Sequence, residues 1–320
     1  MSKLDVVEIW KELHRMPEPG MNEFKTGAYL ADALEKLGYE VTRGVGKTGV
    51  VGVVRGKEPG PVVMLRADMD ALPFKNEDGS IEYVHACGHD SHSAMVLTAA
   101  AELVDKVKKG TIKILFQPAE ETLEGALAVM KDVDIALGLH VRPVQDIPAG
   151  TCCAAVRHSA STFLCVEIEG KSAHAARPHL GVNCAEAAAL ITNAICAIKM
   201  NPALTWSCKV TSISAVSSAS NIIPDRGELV LDVRAQTNEL MDELLEKVRR
   251  AIEGAASSIG AKATIKFPGG VIPAAIYDED LVAEVAQTIK EELGADKLAT
   301  DCGGGGEDFH YFKQAKPNMK

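Results

Sequence analysis

Val62-Val63-Met64-Leu65-Arg66-Ala67-Asp68-Met69-Asp70 reads as an apolar strand that ends near Arg66 and delivers two carboxylates, Asp68 and Asp70, just past its end. Three further apolar runs, Gly49 to Val54, Thr111 to Phe116 and Asp134 to Leu139, have the length and composition of strands. Between them, Ser91 to Val107 and Ala119 to Met130 read as helices. Strand, helix, strand, helix, strand at this spacing predicts an α/β fold, a mostly parallel mixed sheet flanked by helices. Upstream, an amphipathic helix is expected over residues 4–16, stopped by Met16-Pro17-Glu18-Pro19-Gly20. A second is expected from Thr26 to Leu37, with Gly38 as its C-cap.

Polar residues fall at consistent places in that scheme. Glu120 and Glu121 follow the strand ending at Phe116, and His140 follows the one ending near Leu139. Cys87 and His89 immediately precede a helix, inside His85-Ala86-Cys87-Gly88-His89-Asp90. In open α/β sheets the ligand crevice lies outside the carboxyl ends of the strands, so every metal-capable group is expected on one edge. Each has an ordinary explanation when taken alone: a lone Cys or His packs in cores, and Glu-Glu pairs sit on solvated helices. Scattered core residues would not sort this way, and the shared placement favours a metal site. Thiolate, imidazole and carboxylate together suit a borderline ion such as Zn²⁺. One carboxylate beyond the ligands is what a hydrolase needs for proton transfer.

The rhythm changes after residue 158. Thr162 to Glu169, Thr205 to Val216, Gly227 to Ala235 and Ala263 to Phe267 read as strands, with helices over Val182 to Ile198 and Glu239 to Ser258. The order β-α-β-β-α-β is that of a ferredoxin-like α+β unit. Pro268-Gly269-Gly270 marks a return, and Asp280 to Leu293 reads as a further helix. The expected division is 1–157 as the first part of a catalytic metal-binding domain, 158–268 as an inserted ferredoxin-like domain, and 269–320 as the second, incomplete part of the catalytic domain.

Bulk properties agree with two domains in 320 residues. The chain is 47% hydrophobic and 24% charged, without an apolar run long enough to span a membrane. A formal charge of −10 argues against a nucleic-acid surface. The first residues lack a signal-peptide core, and the cysteines, Cys87 with its polar, metal-binding neighbours excepted, read as reduced, mostly buried thiols of a cytoplasmic protein. Gly303 to Gly306 lacks the Lys-Ser/Thr of a phosphate loop and reads as a tight turn near the metal site.

Several segments together resemble the M20 metallopeptidases, in particular the N-acyl-amino-acid amidohydrolase subgroup of hippurate hydrolase, auxin-conjugate hydrolases and N-acetyl-diaminopimelate deacetylase. They are Arg66 to Pro73, His85 to Asp90, Gln117-Pro118-Ala119-Glu120-Glu121 and Gly138-Leu139-His140, with Leu13 to Glu18, Gly170 to His179 and Glu307-Asp308-Phe309. The resemblance implies a two-metal centre with Cys87, His89, Glu121 and His140 as ligands and Mn²⁺ or Zn²⁺ as the ions, Co²⁺ and Ni²⁺ being alternatives. Glu120 becomes the general acid/base acting on a metal-activated water, and Asp68 a residue that orients the site.

The same resemblance makes His174 an oxyanion donor supplied across a homodimer formed through the inserted lid domain. It makes Asn221 and Arg234 the pair that grips the substrate's α-carboxylate. Read from the residues alone, His174 also suits a cap in a Gly/Ala-rich turn, Asn221 a turn before Ile222-Ile223-Pro224, and Arg234 a solvent-facing strand position. The expected activity is hydrolysis of N-acyl-L-amino acids, with dipeptidase or carboxypeptidase activity on the same scaffold as the rival.

The family pattern calls for one more ligand histidine, in a Gly-His-His-like segment beyond Phe309, and the chain stops at Pro317-Asn318-Met319-Lys320. A truncated chain, a shifted reading frame or a divergent, metal-poor binding protein would each account for this. Truncation is the expectation, with an incomplete second metal site and an uncovered sheet edge.

Overall fold

The computed structural model describes residues 4–121, 125, 133–303 and 305–320. The chain divides into two units. One comprises Met1–Val156, Ile276–Gly303 and Glu307–Lys320, and the other Arg157–Ala275 with Gly304–Gly306.

In the first unit, α1 (Val6–His14) starts where Asp5 Oδ1 accepts from the Val7 amide at 2.9 Å, satisfying a donor the helix itself cannot. Helix α2 (Phe24–Leu37) ends at Gly38, whose φ of +93° lets the Tyr39 amide turn back onto the Leu34 carbonyl. Strands β1 (Glu40–Val45), β2 (Gly49–Arg55) and β3 (Glu58–Asp68) follow. Then come the hairpin of β4 (Leu72–Lys75) and β5 (Ile81–Val84), helix α3 (His89–Leu103), and strands β6 (Lys109–Gln117) and β7 (Ile135–Gly138). The five-stranded sheet has the order β1-β2-β6-β3-β7, antiparallel across β1-β2-β6 and parallel across β6-β3-β7. The fold is the mixed α/β sheet flanked by helices that the strand-helix rhythm implies.

Successive residues of a strand face opposite sides of a sheet, and β6 shows this directly. Ile114 and Phe116 join the core formed with Leu13, Leu30, Leu34 and Leu97 of the three helices, while Leu115 packs on the other face with Met64, Ala136, Phe312 and Met319. Lys320 meets β7 at one position. Its amide donates to the Asp134 carbonyl and its own carbonyl accepts from the Ala136 amide, each at 2.9 Å.

Where the helix expected over 119–130 was to begin, Ala119 instead adopts a left-handed φ of +52° and Glu120 and Glu121 form a turn. Residues 122–124 and 126–130 of that expected helix lie outside the described residues.

The second unit contains β8 (Ala160–Glu169), α4 (Cys184–Cys196), β9 (Trp206–Ser214), β10 (Arg226–Ala235), α5 (Asn238–Ser258) and β11 (Lys262–Lys266). Its sheet is antiparallel throughout, in the order β9-β10-β8-β11, which is the ferredoxin-like arrangement. Leu164, Val166 and Ile168 of β8 and Leu229, Leu231 and Val233 of β10 alternate into one core. Leu240, Leu244, Val248, Ile252 and Ala256 form the buried stripe of α5 that covers them, each four residues from the next. Residues past Pro268 stay with this unit because Ile272 and Ser161 exchange both main-chain hydrogen bonds, at 2.9 and 3.1 Å.

The chain then forms α6 (Glu279–Glu292) and α7 (His310–Ala315) of the first unit. All eight cysteines are free thiols. Cys184 and Cys208 are buried, but Cys152 and Cys196 are exposed, a correction to the expectation of mostly buried thiols. Cys196 is the last residue of α4 and is not among its buried residues, so an apolar neighbourhood in sequence does not imply burial. No described helix is long and apolar enough to cross a membrane.

Candidate metal centre

Parallel pairing sets the site. Asp68 at the end of β3 lies opposite Gln117 at the end of β6, and Arg66 lies opposite Gly138 at the end of β7. The chain leaving these three strands carries Asp70, Glu120 with Glu121, and His140. From the other side, Gly88 caps α3 with a φ of +93°. That left-handed φ favours glycine at the residue between Cys87 and His89, and a Cβ there, 2.6 Å from Val141 Cγ2, would also force the Val141 side chain to shift.

The sulfur of Cys87 and ring nitrogens of His89 and His140 lie within 4.8 Å of one another, as do donor atoms of His89, Glu120 and Glu121. His89 is completely buried. Its Nδ1 is 3.0 Å from Asp70 Oδ1, while Nε2 has no hydrogen-bond partner. Around Nε2 stand Asp68 Oδ2 at 3.7 Å and Glu120 Oε2 and Glu121 Oε1 at 3.8 Å. Glu121 Oε1 is likewise buried without a partner. The other Asp70 oxygen accepts from the Glu121 amide at 3.0 Å, so one carboxylate positions both residues. His140 Nδ1 donates to the Val141 carbonyl at 2.6 Å, leaving Nε2 3.5 Å from Cys87 Sγ.

Electrostatics follow from burial and the crowd of carboxylates. Burial works against charge on His89, yet Asp68 and Asp70 outweigh it and raise its pKa. Burial first, and then neighbouring His92, lowers the pKa of His140 and keeps its ring neutral. Burial, reinforced by the negative charges of Glu307, Asp68 and Asp308, holds Glu120 well above the ordinary carboxylate range. Asp68 moves the opposite way, because His89, His92 and Arg66 overcome its burial.

His89 Nε2 and Glu121 Oε1, 3.8 Å apart and each buried without a hydrogen-bond partner, would each cost about 1–3 kcal/mol if left so. A divalent cation resolves both, and thiolate, imidazole and carboxylate are its usual donors. The residues present therefore fit a metal.

A second layer holds this set. Arg66, fully buried, bonds Asp68 and Asp308 at 2.9 Å, Glu307 at 3.0 Å and Gln117 at 2.9 Å. Gln117 Nε2 also donates to both Asp308 oxygens, at 2.8 and 2.7 Å. The Glu307-Asp308-Phe309 segment is thereby pinned to the ends of β3 and β6. Asp68, expected to orient the site, bonds His92 Nδ1 at 2.6 Å and Arg66. The carboxylate that bonds His89 is Asp70. Sequence reasoning passed over Asp70, His92 and Arg66 as partners. The available signals were that Asp70 also follows β3 and that His92 lies one helical turn beyond His89.

The remaining candidates lie in the second unit. His174 pairs across a two-residue bridge with Ile222, and the Ala176 amide donates to its Nδ1 at 3.1 Å. A backbone N–H only donates, so in the neutral ring Nε2 carries the proton; the nearest Asn221 atom, Nδ2 at 3.4 Å, is itself a donor and does not accept it. Arg234 is held on β10 by Asp232, Nε to Oδ1 2.9 Å.

Comparison with known proteins identifies the family. The model of peptidase family M20/M25/M40 matches residues 64–319. Thermostable carboxypeptidase 2 of Saccharolobus solfataricus is 33% identical, over 98% of this chain and 84% of its own length. Hippurate hydrolase of Campylobacter jejuni is 31% identical, over 97% and 85%. Among solved structures, a dinuclear metal-binding M20 peptidase of Bacillus subtilis superposes with a TM-score of 0.79 at 28% identity, over 97% of this chain and 85% of that one. The chain belongs to peptidase family M20/M25/M40 and is a hydrolase of amide bonds.

Proposed function

We propose that the chain hydrolyses N-acyl-L-amino acids to a carboxylate and a free amino acid, using two divalent cations held by Cys87, His89, Glu121 and His140. The observation that carries the metal assignment is the buried, unpartnered pair of His89 Nε2 and Glu121 Oε1 beside the Cys87–His140 contact. Mn²⁺ or Zn²⁺ suits these ligands. Bound there, the cations supply electrophilic assistance to the amide carbonyl and a lowered pKa for water.

The protein's own residues do the rest. Glu120 takes the proton from the attacking water and returns it to the departing amine nitrogen. Burial and its acidic neighbours raise the pKa of this carboxyl, which favours its keeping the proton it has taken until the amine departs. Asp70 fixes the ring of His89, and Asp68 with Arg66 fixes the ends of the strands.

In the second unit, the protonated Nε2 of His174 serves as the donor to the tetrahedral oxyanion, worth about 3–4 kcal/mol in comparable sites. Asn221 and Arg234 bind the substrate α-carboxylate, the guanidinium as a bidentate fork. This unit acts as the lid and dimerisation domain, and the protein works in the cytoplasm.

The substrate class draws support from the relative named hippurate hydrolase. The relative named a carboxypeptidase favours a second reading, cleavage of peptides with a free α-amine. Turnover of an N-acetyl or N-benzoyl amino acid against a dipeptide with a free amine separates them. Preference for the acylated substrate supports the first reading, and preference for the dipeptide rejects it.

A further inference from the structure

We propose that His92 is a positioning residue for His140. It holds the backbone next to that residue and so sets where the His140 ring presents Nε2. This rests on His140 acting as a ligand, as proposed above.

His92 is completely buried on α3, and His92, His89 and Asp68 have donor atoms within 4.8 Å of one another, which at first suggests a ligand. Its hydrogen bonds say otherwise. The Val141 amide lies 2.9 Å from His92 Nε2, and because a backbone N–H only donates, Nε2 must accept. The ring proton is therefore on Nδ1, where it is given to Asp68 Oδ1 at 2.6 Å. Both nitrogens are committed, and no lone pair remains for a cation.

What the bond to Val141 achieves is visible one step further. The Val141 carbonyl is the acceptor for His140 Nδ1, at 2.6 Å. Val141 thus carries both anchors: its amide is held by His92, and its carbonyl orients His140. With Nδ1–H spent on Val141, the lone pair of His140 Nε2 turns toward Cys87 Sγ, 3.5 Å away.

Packing alone does not fix this loop, since Val141 is 40% exposed. The bond from a buried, doubly anchored imidazole does. The chain of contacts runs from Arg66 through Asp68, His92 and Val141 to His140, with the two imidazole rings 4.5 Å apart. A ligand held this way does not lose ring freedom when the cation arrives, and removing such support commonly weakens metal affinity about 10–100-fold.

The test compares wild type, His92→Gln and His92→Asn as metal-free proteins titrated with Co²⁺, with residue-resolved hydrogen exchange of the Val141 amide as a second reading. Glutamine places an amide oxygen near the position of Nε2 and keeps the acceptor for Val141. Asparagine is too short to reach it and keeps only a donor toward Asp68. The expected result is near-wild-type Co²⁺ affinity and Val141 protection in His92→Gln. His92→Asn should bind about 10–100-fold more weakly, with faster Val141 exchange. Equal affinity in all three proteins, or equal loss in both variants, overturns the proposal.

Should His92→Asn fail to fold, the unaltered chain still decides. A through-hydrogen-bond coupling between His92 Nε2 and the Val141 nitrogen is expected, and its absence overturns the proposal. A wild type that binds no Co²⁺ defeats the metal reading itself. A wild type that binds it while the variants behave alike defeats only the role of His92.

Discussion

Replacing Arg66 by Met tests how the first unit holds its metal-facing edge together. The guanidinium has 2% side-chain exposure and neutralises Asp68, Glu307 and Asp308, at 2.9, 3.0 and 2.9 Å. Methionine fills similar volume but leaves these carboxylates buried without their cation. Breaking a buried ion pair from one side costs about 3–5 kcal/mol, and with three carboxylates losing their shared cation the upper part of that range, about 4–5 kcal/mol, applies. At about 2–4 °C per kcal/mol for a domain of 150–250 residues, the melting temperature should fall by roughly 8–20 °C.

The assay is thermal and urea unfolding of metal-free protein, so that lost metal does not add to the effect. Arg66→Lys should lie between, because an ammonium lacks the planar fork that reaches Asp68, Asp308 and Gln117 at once. Adding Asp308→Asn to Arg66→Met should recover part of the loss by removing one stranded charge. Arg66→Met within 1 kcal/mol of wild type, or a double variant less stable than Arg66→Met alone, would refute the reasoning.

Asp70→Ala frees the His89 ring and the Glu121 amide together, and metal affinity measured by titration should drop about 10–100-fold while the apo fold persists. Leu115→Ala removes a fully packed side chain from the sheet face shared with Phe312 and Met319 and should cost about 2–5 kcal/mol in urea unfolding. Tyr39 is buried with its hydroxyl donating to the Ala100 carbonyl, and burial pushes its pKa up to about 12 from 10. A raised folded-state pKa gives stability that is complete below pH 10 and lost as pH rises toward 12. Tyr39→Phe should therefore remove that alkaline loss, seen as a flatter stability curve from pH 9 to 12.

The parts of the fold that were legible are those where burial imposes a pattern. Thr111 to Phe116 lies inside β6, and the alternation of Leu164, Val166 and Ile168 in β8 and of Leu229, Leu231 and Val233 in β10 is a direct imprint of a one-sided core. Strand β1 carried no such mark because its residues are mostly exposed. The β4-β5 hairpin was hidden by four-residue strands, one of them containing Pro73, although Asn76 to Ser80 is a recognisable turn.

At the site, the gathering of Asp68, Asp70, Glu120, Glu121 and His140 at strand ends follows from chain order and parallel pairing, and is readable. Who bonds whom is not. Asp68 and Asp70 are two residues apart, and only the bend after β3 gives His89 to Asp70 and His92 to Asp68. Arg66 reads as the last residue of an apolar run, and its partner Asp308 is 242 positions away. His92 shares a helix face with His89 by periodicity, but nothing local announces the Val141 amide 49 residues on.

The central claim is that buried donors hold the cations while Glu120 moves the proton. The most direct measurement is the turnover of an N-acetyl amino acid by Glu120→Gln at metal content matched to wild type. Glutamine keeps the shape of the side chain but accepts no proton. The account predicts unchanged metal binding and a kcat lowered by about 10²–10⁴-fold. Turnover near the wild-type rate with metal bound would contradict it.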